Sequence, residues 1–291
     1  MAATSGASAA VAALTRVSAA LTAITGTRAA GVALVFALSL AAEVLPAAAA
    51  SAEPVDLELV FAVDVSRSMD ADEQAVQRDG YAEALTHPAV LSAITSGELR
   101  RIAIAYLEWG GPWSGRLVLD WTLIASEEDA RAAAAQLRAV PVRSASGTSI
   151  SAGLTQAAQL FVDNGFEGTR RVIDVSGDGP NNTGGPVAPV RDALVAAGIQ
   201  INGLPVMIKR ATGPFSLPDL DFYYEDCVIG GPGAFVVPVL EKSGFVAAIR
   251  LKMVMEIAAL PPPARLRNAG MTDCMIGEQM RRRWIDMQGW E

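Results

Sequence analysis

From Val55 onward the chain repeats one pattern, a short apolar run followed by a stretch with helical periodicity. The clearest run is 57–65, LELVFAVDV, apolar at both alternating sets of positions except Glu58 and Asp64. Side chains of a strand point alternately to opposite faces, so such a run is at home only in a sheet covered on both sides. Helices must therefore flank it. This single constraint selects the α/β class before any other residue is considered.

The remaining elements follow the same rhythm. Residues 70–94 read as one helix with Tyr81 and Leu85 on a common face. Residues 101–109 and 117–121 read as a strand pair joined through Gly110, Gly111, Pro112 and Gly115, a turn-rich hairpin. Ser126 is expected to cap the next helix, with Glu127, Glu128 and Asp129 in its first turn, where the helix dipole favours them. That helix ends before Pro141. Residues 148–166 read as a helix stopped near Gly165, 171–176 (RVIDVS) as a second buried strand, and 187–197 as a helix closed by Gly198. A strand over 199–208, an edge strand over 235–240 and a last helix over 241–259 complete the series. The expected fold is a doubly wound, mostly parallel central sheet flanked by helices, with one antiparallel edge strand.

Three segments organise the chain. Residues 1–52 form a leader, 53–260 the α/β domain, and 261–291 a C-terminal tail whose default reading is loose attachment. Within the leader, 29–42 (AAGVALVFALSLAA) is an uncharged apolar run preceded by Arg28 and followed by small residues to Ala52. As a helix it rises about 21 Å, short of the roughly 30 Å hydrocarbon layer. A basic start, a short apolar stretch and an Ala-x-Ala-like end describe a secretory signal peptide, hence a periplasmic or secreted protein. Membrane contact is expected only through an uncleaved leader. The Ala/Ser/Thr-rich residues 1–27 leave the true start of the chain open.

Two cysteines, Cys227 and Cys274, lack the spacing of a metal motif. They pair in an oxidising compartment or remain separate thiols, and the sequence does not decide which. A net charge of −8 disfavours polyanionic partners, so nucleic acid is not expected as a ligand.

The chemistry falls at strand ends. In open α/β sheets ligands bind beyond the carboxyl ends of the strands, where the strand order reverses. Residues 57–65 deliver Asp64, Ser66 and Ser68 to that edge, and 171–176 deliver Asp178. Thr148, in Ser-Gly-Thr-Ser, opens a helix between them. Two carboxylates and three hydroxyls are a hard-oxygen set suited to Mg²⁺, or to Mn²⁺ or Ca²⁺, and unsuited to zinc or copper. Each group also has an ordinary alternative: Ser66, Ser68 or Thr148 as helix caps, and Asp178-Gly179 as a turn.

Taken together these residues resemble the metal-ion-dependent adhesion site of the von Willebrand factor A superfamily. Asp64-Val65-Ser66-Arg67-Ser68 matches its Asp-x-Ser-x-Ser element, Thr148 its loop threonine and Asp178 its loop aspartate. More narrowly, DVSRSM (64–69), DVSGDGPNN (174–182) and DCVIGGPGAF (226–235) resemble an uncharacterised bacterial family of exported proteins with such a domain. The resemblance implies a Rossmann-like fold over about 55–259. It also implies a divalent cation held by Asp64, Ser66, Ser68, Thr148 and Asp178, and a protein partner whose acidic side chain completes the metal shell. The expected function is a divalent-cation-dependent protein-binding module of the cell envelope, not an enzyme.

Two alternatives belong to other classes. A Mg²⁺-dependent phosphoryl hydrolase would use a strand-end aspartate as nucleophile, but it calls for a carboxylate where Ser66 stands and for a lysine near the phosphate. A purely structural domain would hold no metal. Dinucleotide binding lacks the Gly-x-Gly-x-x-Gly turn. The single histidine, His87, precedes Pro88 and reads as a surface residue. Asp174, inside a strand, reads as a buried hydrogen-bonded carboxylate or as a group supporting the site. Residues 210–233, with Phe222, Tyr223 and Tyr224, form a long loop that either overhangs the metal edge or covers the side of the sheet.

Overall fold

The computed structural model describes residues 51–69, 71–208, 213–260 and 272–289. The leader to residue 50, Asp70, the start of the long loop at 210–212 and the first part of the tail therefore lie outside the described residues.

Among the described residues five strands form the central sheet: β2 (Leu57–Asp64), β3 (Ile102–Trp109), β4 (Arg116–Ile124), β6 (Arg171–Gly177) and β7 (Ile199–Pro205). Their order is β4-β3-β2-β6-β7, and every neighbouring pair is parallel except β3 with β4. The antiparallel edge is thus the hairpin strand. The central strand β2 has all eight residues buried, as its unbroken apolar run demands. Helices α1 (Ala71–Leu85), α3 (Glu127–Ala139) and α7 (Phe245–Ile257) press Tyr81, Leu137 and Ile249 against Leu57, Leu59 and Phe61 on one face. On the other face α4 (Ile150–Gln159) and α5 (Val187–Ala196) pack Leu154 and Val187 with Val60 and Ala62. Alternate residues of one strand feed two cores, which is the doubly wound arrangement.

Several boundaries differ from the sequence expectation. The helix expected over 70–94 is two, α1 and α2 (Pro88–Thr95). Proline has no N–H for a helix interior but suits a first turn, and the His87 ring accepts from the Ala89 amide at 3.1 Å to cap it. The expected 148–166 helix is shorter because Ser149 caps it and the chain leaves it after Leu160. Beyond it, β5 (Phe166–Gly168) pairs in parallel with β1 (Glu53–Val55), and three-residue strands carry too little periodicity to be read in advance. Residues 235–240 run beside β7 through isolated parallel bridges, Gly203 with Val236 and Val206 with Val239, rather than a continuous ladder. Pro238, lacking an amide hydrogen, stands between them. The last helix opens with a 3₁₀ turn, Lys242–Gly244, before α7.

The long loop does both things the sequence left open. Its second half is a short helix, α6 (Leu220–Tyr223), continued by a π-helical turn, Tyr224–Val228, which buries Tyr223, Tyr224 and Cys227 against the sheet. Residues 213–218 line the carboxyl edge. The described part of the tail departs from the loose reading. Cys227 and Cys274 form a disulfide, and α8 (Ile276–Met287) follows it. Glu278 accepts a 2.6 Å hydrogen bond from the Asn181 amide. At Gly277 an added Cβ would lie 2.0 Å from the Asn181 carbonyl, so the helix approaches the domain backbone directly.

Candidate metal centre

Register fixes where the chemistry lies. Asp64, the last residue of β2, is opposite Trp109, and Val63 is opposite Ser176, so β2, β3 and β6 end together. The strand order reverses beside β2, as α/β ligand crevices require.

At that edge the chain after β2 folds back on its own carboxylate. The Ser66 amide donates to Asp64 Oδ1 at 2.7 Å, and the Ser66 hydroxyl donates to Oδ2 at 3.1 Å. The Ser66 and Ser68 hydroxyl oxygens lie 2.8 Å apart, and the Ser68 hydroxyl donates to Asp178 Oδ1 at 2.6 Å. A continuous line of oxygens, Asp64–Ser66–Ser68–Asp178, therefore joins the ends of β2 and β6. Thr148 lines the same cavity as Ser66, Ser68 and Asp178. Its backbone is tied to the third loop: the amide donates to Asn182 Oδ1 at 3.1 Å, and the carbonyl accepts from the Asn182 amide at 2.9 Å. All five expected site residues thus stand at one edge, four of them in a chain of oxygens at hydrogen-bonding distance and Thr148 beside them.

The loops hold their shape through Gln74 and Gln77, which the sequence reading did not single out, and through Asn181 and Asn182, which it marked only as part of 174–182. Gln74 on α1 donates through one amide nitrogen to the carbonyls of Val65, Ser66 and Met69 at 3.1, 3.3 and 3.2 Å. Gln77 does the same for the Asp64 carbonyl at 3.2 Å. They precede Tyr81 by seven and four residues, a polar start to the buried helix face that carries Tyr81 and Leu85, a signal visible in sequence. Asn181 accepts from the Ser151 amide at 3.1 Å, so Asn181 and Asn182 together tie the loop after β6 to the start of α4. Glycine is required at two points. Gly147 has φ +82°, a left-handed backbone that side chains resist. A Cβ at Gly177 would lie 2.9 Å from the Tyr224 hydroxyl and 3.0 Å from Asp64 Oδ2.

Burial pushes the Asp64 carboxyl well above the usual range, and the nearby Asp178 charge adds to that, while the Ser66 hydrogen bonds oppose it. Two carboxylates, one fully buried, sharing a site is an arrangement that a cation relieves. Among the described residues no three His, Cys, Asp or Glu side chains gather, so hydroxyls complete the donor set. Carboxylate and hydroxyl oxygens are the ligands that hard divalent cations take. The residues present fit such an ion.

Asp174 does not face this edge group but is buried in an ion pair with Lys252 of α7, 2.7 Å away. His87 caps α2 and lies 3.1 Å from an Arg250 nitrogen.

Comparison with known proteins gives a family and a fold. A family model described as "Protein of unknown function (DUF1194)" matches residues 54–261. No curated protein matches the chain. Among solved structures, a von Willebrand factor type A protein from Catenulispora acidiphila is 15% identical with a TM-score of 0.50, covering 70% of this chain and 43% of that one. The pilus adhesin SpaC from Lactobacillus rhamnosus GG is 12% identical with a TM-score of 0.51, covering 70% and 30%. Proximal thread matrix protein 1 from the mussel byssus is 13% identical with a TM-score of 0.51, covering 72% and 49%. The matched region is therefore less than half of each of those chains, and at these identities the likeness is one of fold.

Proposed function

The chain belongs to the DUF1194 family and has a von Willebrand factor A-type fold, and on that premise we propose that it is a divalent-cation-dependent protein-binding module. The observation that carries this reading is the Ser68–Asp178 hydrogen bond, which closes a line of oxygens across two strand ends 110 residues apart. Asp64, Ser66, Ser68, Thr148 and Asp178 are the residues that would hold Mg²⁺, Mn²⁺ or Ca²⁺. A cation bound there supplies positive charge for the acidic side chain of a protein partner. Asp64 and Asp178 contribute the negative charge that retains the ion, and the three hydroxyls orient without adding more. Gln74, Gln77, Asn181 and Asn182 keep the loops in place before any ligand arrives, which lowers the ordering cost of binding.

Binding rather than catalysis fits the composition of the edge. A serine, Ser66, occupies the position where a phosphoryl hydrolase would place its second carboxylate, and the only histidine is engaged at the start of α2. The Cys227–Cys274 disulfide accords with an oxidising compartment, as does the signal-peptide-like leader, so we place the protein in the periplasm or outside the cell. Among the described residues no helix is long and apolar enough to cross a membrane.

Thermal unfolding with and without Mg²⁺, Mn²⁺ or Ca²⁺ tests the reading. An ion at a hundred times its dissociation constant stabilises by about 2.7 kcal/mol, a readily measured rise in Tm. Asp64→Asn and Asp178→Asn should each remove the rise. An equal rise in both variants would place the ion elsewhere and remove the proposal.

A further inference from the structure

The carboxyl edge is not an open surface. Ser66, Thr148 and Asp178 lie in a cavity of about 1210 Å³ whose far wall is formed by residues 213–218 and by α8. Phe215 and Trp284 meet across that wall with ring centroids 5.8 Å apart and planes tilted by 58°. The disulfide, the Asn181–Glu278 hydrogen bond and the close approach at Gly277 fix α8 there independently. Arg281, one turn before Trp284 on the same helix, lines this cavity together with Arg67 of the Asp-x-Ser-x-Ser loop. Both arginines are exposed, and among the described residues neither forms a salt bridge.

We propose that Arg281 and the α8 wall are part of the binding site, and that the ligand is an extended peptide segment carrying a carboxylate beside apolar side chains. The inference rests on the reading of this edge as a carboxylate-binding site and adds what surrounds the acid. Three features select that occupant. The space exceeds the range of roughly 300–1,000 Å³ common for small-molecule clefts, so several residues fit. A walled cavity admits an inserted segment and excludes the flat face of a folded partner. The guanidinium fork suits a carboxylate bidentately, while Met207, Leu217 and Trp284 offer apolar contact to its neighbours.

The probe is a fluorescein-labelled pool of octapeptides, each with one central aspartate flanked by leucine or phenylalanine, beside the same pool with asparagine. Anisotropy is read on the full chain with Mg²⁺ and with chelator, and Tm is read on the same samples. The acidic pool is expected to bind and the asparagine pool to bind at least tenfold more weakly. Arg281→Ala should weaken the acidic pool about tenfold and Arg281→Lys less, since a charged hydrogen bond lost at a binding site is of that order. Arg281 is exposed, so its substitution leaves folding intact, which the unchanged Tm verifies. If chelator abolishes binding while Arg281→Ala changes nothing, the cation reading stands and this inference falls. If Arg281→Ala abolishes binding that chelator leaves untouched, the α8 site stands and the cation reading falls. Equal binding of both pools, or none of either, overturns the inference whatever the metal does to Tm.

Discussion

Replacing Lys252 by methionine should be among the most damaging single changes in the domain, although the residue lies outside the candidate centre. Lys252 sits on α7 with none of its side chain exposed, 2.7 Å from Asp174 Oδ1 and in direct contact with Glu256. Asn202 donates to Glu256 at 3.0 Å. Burial raises both carboxyls, Glu256 to about 7 with the Asp174 charge adding to the effect, while Lys252 opposes the rise in each. Methionine fills a similar volume but removes the one positive charge that, among the described residues, is within bonding distance of the two acids. Stripping one partner from a buried ion pair costs about 3–5 kcal/mol, because the remaining charge is left without compensation. For a chain of this length that corresponds to a fall in Tm of roughly 6–20 °C. Urea unfolding followed by tryptophan fluorescence would measure it. The second variant, Lys252→Met with Asp174→Asn, removes one of the two orphaned carboxylates and should recover about half of the loss. A loss below about 1 kcal/mol for the single variant, or no recovery in the double, would refute the argument that charge and not packing sets the cost.

Three further outcomes follow from the same structure. Glu256 binds its proton more tightly folded than unfolded, so its contribution is present below about 4.5 and is lost as pH rises through about 7. Glu256→Gln should therefore gain stability relative to the parent as pH goes from 5 to 8, by up to about 3 kcal/mol, and urea midpoints at the two pH values will show whether it does. Gln74→Leu strips the donor from three loop carbonyls and should cost about 1–3 kcal/mol while also weakening any cation-induced rise in Tm, checked in one thermal series. Reducing Cys227–Cys274, which are 47 residues apart, should destabilise the chain by about 4 kcal/mol and expose α8 to protease; unchanged digestion under reduction would mean that the Asn181–Glu278 contacts alone hold the helix.

The sequence by itself determined the class of fold and the positions of the strands and principal helices. Those features are local: an apolar run like 57–65 must be buried on both faces, and a capping serine such as Ser126 acts within one turn. It also marked Asp64, Ser66, Ser68, Thr148 and Asp178, because each sits at a predicted strand or helix end and strand ends share an edge. Where local signals compete, as at Pro88, or are too short, as in β1 and β5, the boundaries moved. The tertiary structure alone decided that Cys227 meets Cys274, that Lys252 lies between Asp174 and Glu256, and that α8 walls the cavity with Arg281. Apart from Lys252 and Glu256, four residues apart on one helix, these pairings join segments 47 to more than 100 residues apart, and no periodicity along a chain encodes which distant face a side chain will meet. Only the packing of helices around the twisted sheet settles that.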